Sequence, residues 1–446
     1  MREMAARVRR GEVSARELVE AHLRRVDAVN GKLNAFVEVR AEEALRAARE
    51  VGEGPLAGVP VTIKDSFDVA GWGTRCGCPD RAGHTAEADA AAVAKLRAAG
   101  AIVLGKTNVP ELVSSYETDN FVTGRTVNPW DAGRTAGGSS GGEAAAIAAC
   151  CSAGGVGSDG GGSIRIPAHF CGIAGFKPTH RRISGFGQYP EASGPAGMMS
   201  APGPMARTVG DVELLFSVMQ GVDARDSSSV GAGDGMRRKP RIGVMRRFYQ
   251  VPVDAAIAGA VDRAAALLRD AGYEVEEFTV QGLERAPNQW AFFFAEIGGM
   301  MLRELLAGRE GEAHWTVTEN LREAPPVEGR AIIAAYAERE RLRRLALEQM
   351  ERFPVLLMPP CSIAAFEHRQ RRFAVGGQSI GMFAAMAPAT MWNLLGFPAL
   401  VLPCGMTDGG LPVGVQLVGR PFEDERVLRT GVELEEARGA FPLAKL

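Results

Sequence analysis

A glycine-rich segment that ends in Ser163 carries the residue types that acyl-transfer chemistry requires. Three glycines, residues 160–162, lead directly into this serine, and apolar residues follow it. Successive backbone N–H groups without side chains can converge on one point, which is what an oxyanion hole beside its nucleophile needs. Asp159 and Arg165 bracket the segment with opposite charges and could fix its shape. The apolar flanks favour a nucleophilic role for Ser163 over a glycine-rich surface loop.

Two adjacent serines, Ser139 and Ser140, lie in a second glycine-rich segment, residues 137–143. Glycines on both sides permit positive φ angles and close packing, so a serine hydroxyl can be held at an unusual backbone position. A flexible turn or the N-cap of a helix would fit the same residues. The residue pattern alone does not choose between the two serines.

The same segment matches the G-x-S-x-G pattern of a nucleophile elbow, which is a sharp turn between a strand and a helix. Residues 128–136 before it are polar and contain a proline. They therefore do not predict the central strand that an elbow needs. Of the later histidines, His169 and His180 lie nearest in the chain, but neither has a context that marks it as a base. We expect no Ser–His pair here.

Lys64 follows an apolar run, residues 58–63, that predicts a buried strand. Burial disfavours the charged form of an amine, and a neutral lysine can act as a base. An ion pair with Asp65 is the alternative. Lys106 is a second candidate base, and strand context does not choose between the two lysines. It lies in residues 100–107, which match a phosphate-binding loop, but the apolar middle positions predict a strand and no nucleotide site.

The composition is that of an ordinary globular protein. The chain has 446 residues, 46% hydrophobic and 23% charged, with a formal net charge of −2 and no basic tract. A nucleic-acid partner is therefore not expected. Seven cysteines, an odd number, without a signal peptide predict reduced thiols and a cytoplasmic location. Cys76 and Cys78 lack a second pair at zinc-site spacing, and we expect neither a metal nor another cofactor.

Apolar periodicity and capping residues predict alternating helices and strands. Strands separated by helices predict an α/β fold with a central twisted mixed β-sheet covered by helices on both faces. Residues 373–407 are uncharged, but prolines and glycines interrupt them, so a buried helix and strand are expected rather than a membrane span. Residues 222–238 predict a linker. Helices are predicted near residues 14–30, 41–51, 86–99, 143–151, 253–271 and 423–438, and strands near 58–63, 101–104, 241–245, 273–278, 355–358, 399–402 and 413–418.

Taken in order, the three candidate segments resemble the amidase signature family, and the 24 residues from Ser139 to Ser163 match the spacing of that family's two serines. The resemblance runs over nearly the whole chain and looks closest to bacterial amidases and fatty acid amide hydrolase-like members. It implies one catalytic domain over residues 1–446, with a signature core at about 58–180 and N-terminal helices in 1–52. Similar blocks are KTNVPE (106–111), NPW (128–130), GFKPT (175–179), GPMAR (203–207) and LPVGVQLVGRP (411–421).

The resemblance implies a serine amidohydrolase with a Ser–cis-Ser–Lys triad, which cleaves an amide to an acid and an amine or ammonia. Ser163 would attack the carbonyl and form an acyl-enzyme, Ser139 would relay the proton, and neutral Lys64 would be the final base. Val113 matches a substrate-lining position. The implied oxyanion hole comprises the N–H groups of Gly160, Gly161, Gly162 and Ser163, and the implied supporting residues are Ser140, Asp159 and Arg165. Gly160 stands where the family usually has Thr or Ile.

The acyl pocket is expected in residues 281–329 and 362–380, because these regions are rich in aromatic residues and methionine. They predict an apolar pocket for aryl or alkyl amides, although the same residues could simply form core. The expected partner is a small-molecule amide, and assembly as a homodimer is left open. The residues concerned are Trp290, Phe292, Phe293, Phe294, Met300, Met301 and Trp315.

Two other functions remain open at this point. The first is the glutaminase A subunit of a tRNA-dependent amidotransferase, which shares the triad and needs partner subunits. In that subunit the residue after the nucleophile's Ile-Arg is typically Gln, whereas this chain has Ile166. The second is a non-catalytic binding protein on the same fold. The presence of Lys64, Ser139 and Ser163 argues against it.

Overall fold

The computed structural model describes residues 1–191, 193–231, 239–321 and 327–446, so the predicted linker lies partly outside the described residues, at 232–238. The helices are α1 Arg2–Arg9, α2 Ala15–Leu33, α3 Ala41–Ala47, α4 Ala91–Ala98, α5 Gly141–Ala148, α6 Arg165–Cys171, α7 Gly194–Gly197, α8 Val209–Met219, α9 Ala255–Asp270, α10 Ala286–Ala291, α11 Gly298–Leu306, α12 Trp315–Leu321, α13 Gly329–Gln349, α14 Met382–Leu395 and α15 Asp424–Arg438. A π-helix spans Phe292–Ile297, and short 3₁₀ turns span Pro79–Arg81, Glu111–Val113 and Glu310–Glu312.

The strands are β1 Phe36–Val39, β2 Pro60–Lys64, β3 Ile102–Thr107, β4 Gly154–Asp159, β5 Ala174–Lys177, β6 Ala201–Ala206, β7 Ile242–Val244, β8 Val275–Glu277, β9 Val355–Met358, β10 Arg372–Val375, β11 Gln378–Gly381, β12 Ala399–Met406 and β13 Pro412–Gly419. Within the described residues, eleven of them form one sheet in the order β1-β3-β2-β4-β6-β5-β12-β13-β9-β7-β8. Strand β2 is parallel to β3 and β4, whereas β4 is antiparallel to β6. The predicted α/β fold with a mixed central sheet is confirmed.

Strand β12 shows why helices must cover both faces of the sheet. Leu400 and Leu402 are fully buried in one apolar cluster with side chains of α8, α9 and α15. Val401, between them, is fully buried in a second cluster with side chains of α5 and α6. Because successive side chains of a strand point to opposite faces, a strand that is apolar at every position must be covered on both.

Helix α5 lies directly against the sheet because its residues are small. All eight of its residues are buried. A Cβ added at Gly142 would come within 2.4 Å of the backbone nitrogen of Asn108, and one at Gly155 of β4 would come within 2.1 Å of the Thr62 carbonyl oxygen. This close approach brings the N-terminus of α5, with the two adjacent serines, against the end of β2.

Most predicted elements agree with the structure, and the differences have local causes. Helix α2 begins after Ser14, which forms the predicted capping box with Glu17. The helix predicted at 86–99 begins only at Ala91, because the N–H groups of Ala86 and Ala90 donate to loop carbonyls.

The uncharged stretch contains most of the β10–β11 hairpin, then helix α14 and strand β12. Within the described part of the chain, no helix has both the length and the apolar composition to cross a membrane. Residues 102–107 are strand β3, as expected for a segment that does not form a phosphate-binding loop.

Candidate active site

Lys64 is the last residue of β2 and its side chain is completely buried. Its Nζ lies 2.7 Å from Ser139 Oγ and 2.9 Å from Ser158 Oγ. Burial lowers the pKa of Lys64 to about 7, although nearby acidic groups, Asp159 and Glu143 among them, act in the opposite direction. A substantial fraction of this amine is therefore neutral at physiological pH.

Lys106 has a different environment, although it is equally buried. Its Nζ lies 2.9 Å from Asp65 Oδ1 and donates to the Gly73 carbonyl oxygen and to Thr74 Oγ1. Asp65 therefore pairs with Lys106 and not with Lys64. The tertiary structure thus separates the two candidate lysines: one is held in an ion pair, and the other faces hydroxyl groups.

The two adjacent serines also have different surroundings. The peptide bond before Ser139 is cis, as the resemblance implies, and the Ser139 hydroxyl is the one that contacts Lys64. The Ser140 hydroxyl lies against the backbone of Ser158, 3.3 Å from its carbonyl oxygen. The Ser140 N–H donates to the carbonyl oxygen of Ser163 at 3.1 Å. Ser140 therefore joins the two glycine-rich segments, while Ser139 joins them to the lysine.

The ring nitrogens of the two nearby histidines face backbone groups. His169 accepts a hydrogen bond from the Gly414 N–H at its Nδ1 and faces the Ile363 carbonyl oxygen with its Nε2. His180 contacts the Ser200 carbonyl oxygen. Burial lowers the pKa of His169 to about 4 and that of His180 to about 3. Within the described residues, neither ring is hydrogen-bonded to a serine hydroxyl.

Asp159 organises the loop that joins β4 to α6 and carries Ser163. Its carboxylate accepts hydrogen bonds from the N–H groups of Gly162 at 2.7 Å and Ile164 at 3.2 Å, and from the Arg165 guanidinium at 2.9 and 3.0 Å. Burial works to raise the pKa of Asp159, but the charge and hydrogen bonds of Arg165 hold it well below its usual range. Asp159 is therefore a charged, fully paired anchor.

Arg165 connects this loop to two distant elements. Its guanidinium donates to Asn393 Oδ1 and the Ala389 carbonyl oxygen of α14, and to Gln416 Oε1 of β13. Sequence motifs do not mark Asn393 and Gln416 as site residues. Both are uncharged amides inside strongly apolar runs, and this is the signal that could have identified them.

The backbone N–H groups of the loop differ in their availability. The N–H of Gly162 is already donated to Asp159. Within the part of the chain that the structure describes, the N–H groups of Gly160, Gly161 and Ser163 have no acceptor. The structure thus leaves three of the four predicted oxyanion donors available, and the oxyanion role of all four stays a prediction.

Two aromatic side chains hold the carbonyl groups of the same loop. Trp290 Nε1 donates to the Gly160 carbonyl oxygen at 2.8 Å, and the Tyr116 hydroxyl donates to the Gly161 carbonyl oxygen at 2.8 Å. A Cβ at Gly161 would lie 2.4 Å from Trp290 Cζ2, so glycine is required there. Trp290 was expected only as a pocket residue, and nothing in the sequence pattern marked Tyr116.

Two cavities meet at Ser163. The large cavity, about 580 Å³, has an apolar wall and a polar end, and the small cavity, about 120 Å³, has a mostly apolar surface with several polar side chains in its lining. Val113 and Phe294 line both. The apolar wall of the large cavity comprises Trp290, Phe294, Met382, Phe383 and Met386, and its polar end comprises Glu117, Glu319 and Arg371. The small cavity is lined by Ser139, Ser158, Gly160, Gln188, Glu191 and Ser200, among others.

The structure places only some of the predicted pocket residues at these cavities. Trp290 and Phe294 line the large cavity, whereas Phe293 is buried in the core and Met300 is exposed. Ser139 and Ser163 both line the small cavity, but their hydroxyls are not hydrogen-bonded to each other in this structure.

The chain matches the Amidase family over residues 17–428. The A subunit of glutamyl-tRNA(Gln) amidotransferase from Deinococcus radiodurans is 35% identical, over 99% of this chain and 97% of that protein. The solved 6-aminohexanoate cyclic dimer hydrolase in complex with its substrate is 30% identical, with a TM-score of 0.86 over 98% of this chain and 96% of that one. An inhibitor-bound protein complex described as revealing the origins of an s-triazine catabolic enzyme is 29% identical, with a TM-score of 0.91 over 100% and 99% of the two chains.

These matches cover nearly the whole chain, and they agree with the α/β fold and its mixed central sheet. The protein therefore belongs to the amidase signature family and is an enzyme that acts on carbon–nitrogen amide bonds.

Proposed function

We propose that the protein is a hydrolytic amidase in which Ser163 is the nucleophile, Ser139 relays protons and Lys64 is the base. The observation that carries this proposal is the 2.7 Å contact between Lys64 Nζ and Ser139 Oγ, inside a buried site that opens at the same cavity as Ser163. A lysine whose pKa is lowered to about 7 can accept a proton at neutral pH.

The steps follow from this arrangement. Ser163 Oγ attacks the amide carbonyl carbon while its proton passes to Ser139 and the Ser139 proton passes to Lys64. The negative charge that develops on the carbonyl oxygen is stabilised by the free N–H groups of the loop. Lys64 then returns a proton through Ser139 to the leaving nitrogen, and the carbon–nitrogen bond breaks. Water hydrolyses the resulting ester on Ser163 by the same proton route, which releases the acid.

The large cavity supports an uncharged, apolar acyl group. Its ionised groups already satisfy one another: Arg371 donates to Glu117 at 2.7 Å and pairs with Glu319 at 3.0 Å. Glu117 also accepts from the backbone N–H of Arg369. A zwitterionic substrate such as glutamine would have to break these pairs to find partners for its ammonium and carboxylate groups. An aryl or alkyl group needs only the apolar wall.

The second candidate function is that of an amidotransferase A subunit, which the 35% identity to the Deinococcus radiodurans protein favours. Its name implies a partner-dependent enzyme. In the present chain Ile166, where that subunit typically has Gln, is fully buried in an apolar cluster with Phe170 and Phe366. No polar group is presented at this position. We therefore place the hydrolytic amidase first, working in the cytoplasm, where its seven unpaired cysteines would stay reduced.

A fluorophosphonate probe should label the purified chain at Ser163, and the Ser163→Ala variant should not be labelled. The reason is that such probes form a stable adduct only with a serine that has an adjacent base and oxyanion donors. Mass spectrometry of the labelled peptide identifies the site. In the same preparation, an apolar primary amide should be hydrolysed at least about tenfold faster than glutamine.

Two results would reject this proposal. Labelling at a residue other than Ser163, or none at all, would remove Ser163 as the nucleophile. A stable complex with two partner subunits, together with preferential hydrolysis of glutamine, would favour the amidotransferase function instead.

A further inference from the structure

We infer that the substrate's acyl group occupies the large cavity and its leaving amine the small one, so that the enzyme selects amides of bulky apolar acids with ammonia or a short amine. This inference rests on the proposed function, because it uses the roles of Ser163 and Ser139. It states which end of the substrate enters which cavity. An apolar pocket alone does not decide this.

The direction follows from where the proton donor lies. The nitrogen that leaves must receive its proton from Ser139, so it must come within hydrogen-bonding distance of that hydroxyl. Ser139 lines the small cavity and is absent from the lining of the large one. Ser158, which also contacts Lys64, lies on the same side. Any substituent on the leaving nitrogen therefore continues into the small cavity.

The acyl group must then take the other direction from the carbonyl carbon, past Val113 and Phe294 and into the large cavity. The stacked rings of Trp290 and Phe294, with centroids 4.6 Å apart, form a flat apolar surface beside Ser163. The volume of about 580 Å³ is typical of a pocket for a small organic ligand, whereas about 120 Å³ is not.

The polar side chains in the lining of the small cavity support the same direction. Gln188, Glu191 and Ser200 line the small cavity, and they suit ammonia or a short amine that carries its own polar N–H groups. A long alkyl amine would have to fit into only about 120 Å³. Methylene groups on the acyl side would instead be buried against aromatic and methionine side chains.

Two isomeric amides test this direction without changing size or overall hydrophobicity. Octanamide places its chain on the acyl side, and N-hexylacetamide places it on the amine side. We expect kcat/KM to be at least about tenfold higher for octanamide, and to rise about threefold to fourfold per methylene along a series of primary amides until the cavity is filled. An Ala295→Phe variant, which narrows the large cavity, should reduce kcat/KM for octanamide more than for propionamide.

Fluorophosphonate labelling in the same preparation separates this inference from the proposed function. Absence of labelling at Ser163 would reject the nucleophile and both proposals with it. If Ser163 is labelled but N-hexylacetamide is hydrolysed as fast as octanamide or faster, the amidase stands and only the assignment of the two cavities is overturned.

We also propose that Tyr116 and Trp290 are positioning residues for the oxyanion loop, which comprises residues 160–163. Each donates a hydrogen bond to a carbonyl of that loop, Tyr116 to Gly161 and Trp290 to Gly160. The lining of the large cavity uses the aromatic rings of these two residues and not the indole N–H or the phenol hydroxyl. The two hydrogen bonds therefore have a different role.

Peptide planarity explains that role. In a trans peptide the carbonyl and the following N–H point in opposite directions, so fixing one fixes the other. Trp290, by holding the Gly160 carbonyl, sets the direction of the free Gly161 N–H. Tyr116 and Asp159 hold the two ends of the Gly161–Gly162 peptide. Three consecutive glycines have little intrinsic conformational preference, and these contacts supply the rigidity that an oxyanion hole requires.

Tyr116→Phe and Trp290→Phe each remove one donor while keeping an aromatic ring. We expect kcat to fall by about tenfold to a hundredfold in each, with KM changed far less, because the contact acts on the transition state. Affinity for a trifluoromethyl ketone that mimics the tetrahedral intermediate should fall in parallel with kcat/KM.

Matched controls exist elsewhere in the chain. Tyr249 and Trp130 also donate to backbone carbonyls, of Val280 and Cys171, but away from the loop. Tyr249→Phe and Trp130→Phe should leave the kinetics unchanged. Unchanged kcat in the Tyr116 and Trp290 variants, or a loss confined to KM, would overturn their positioning role.

Discussion

Replacing Ser163 with alanine should lower kcat for an apolar primary amide by about 10⁴-fold or more. The attacking atom is then absent, and what remains is the oxyanion donors and substrate binding, which account for only part of the rate. The substitution should not disturb the loop, because Ser163 contributes its carbonyl oxygen to the contact with Ser140 and this group is retained. Steady-state kinetics, together with thermal unfolding of both proteins, checks the prediction.

Ser140→Ala is the matched control for this experiment. Ser140 lies beside the proton relay, but the hydrogen bonds that its hydroxyl makes within the described residues are with the backbone of Ser158. We therefore expect its loss to reduce kcat far less than the Ser163 or Ser139 substitutions do. Equal losses for Ser139→Ala and Ser140→Ala would contradict the assignment of Ser139 as the relay.

Lys64→Met should lower kcat at pH 7 by about 10³-fold and should abolish the acid limb of the pH–rate profile. In the wild type, the neutral form of Lys64 is the base, and its pKa is lowered to about 7 by burial. The rate should therefore fall about tenfold per pH unit below that value and level off above it. In the variant the residual rate should rise with pH, because hydroxide can replace the missing base. Kinetics between about pH 5 and pH 10 measure both profiles.

Two results would contradict this account of Lys64. One is an acid limb of the same pKa in Lys64→Met, and the other is a residual rate that does not depend on pH. Methionine retains most of the buried stem, so the variant should fold.

Glu143→Gln provides an independent check on the same titration. Glu143 is fully buried, accepts from the hydroxyls of Thr62 and Thr107, and has a pKa raised by burial to about 7. Its negative charge acts to raise the pKa of Lys64. Glutamine keeps the shape without the charge, so the acid limb should move to lower pH. A shift to higher pH would exclude Lys64 as its origin.

Several features of the fold could be predicted because they depend on neighbours in the chain. The capping box of Ser14 and Glu17, the small residues of α5 and the alternation of strands and helices are local patterns, and the structure has all of them. The glycines before Ser163 likewise marked a candidate nucleophile. The choice of Ser139 and Lys64 came from the family resemblance and not from residue patterns.

The cavities could be predicted only in part, since they are formed by segments far apart in the sequence. Residues 113–117, 290–295 and 382–390 meet around Ser163 only after the sheet and helices are assembled. Trp290 and Phe293 are close in the chain and similar in type, yet one lines the large cavity and the other is buried in the core. Which face of a helix meets a cavity depends on how the helix packs, and composition does not contain that information.

By itself, the sequence determined the fold class, the family and the glycine loop that ends in Ser163, because periodicity, capping and motif spacing act over short distances. Only the tertiary structure decided which lysine is free of an ion pair, which serine contacts it, and which aromatic side chains hold the loop. Lys64 and Lys106 both lie in buried strands, and Asp65 is next to Lys64 in the chain. The packing of β2 and β3 nevertheless gives that carboxylate to Lys106 and leaves Lys64 facing hydroxyl groups. Burial lowers the pKa of Lys64 by more than the nearby acidic groups raise it, and this burial exists only in the folded chain.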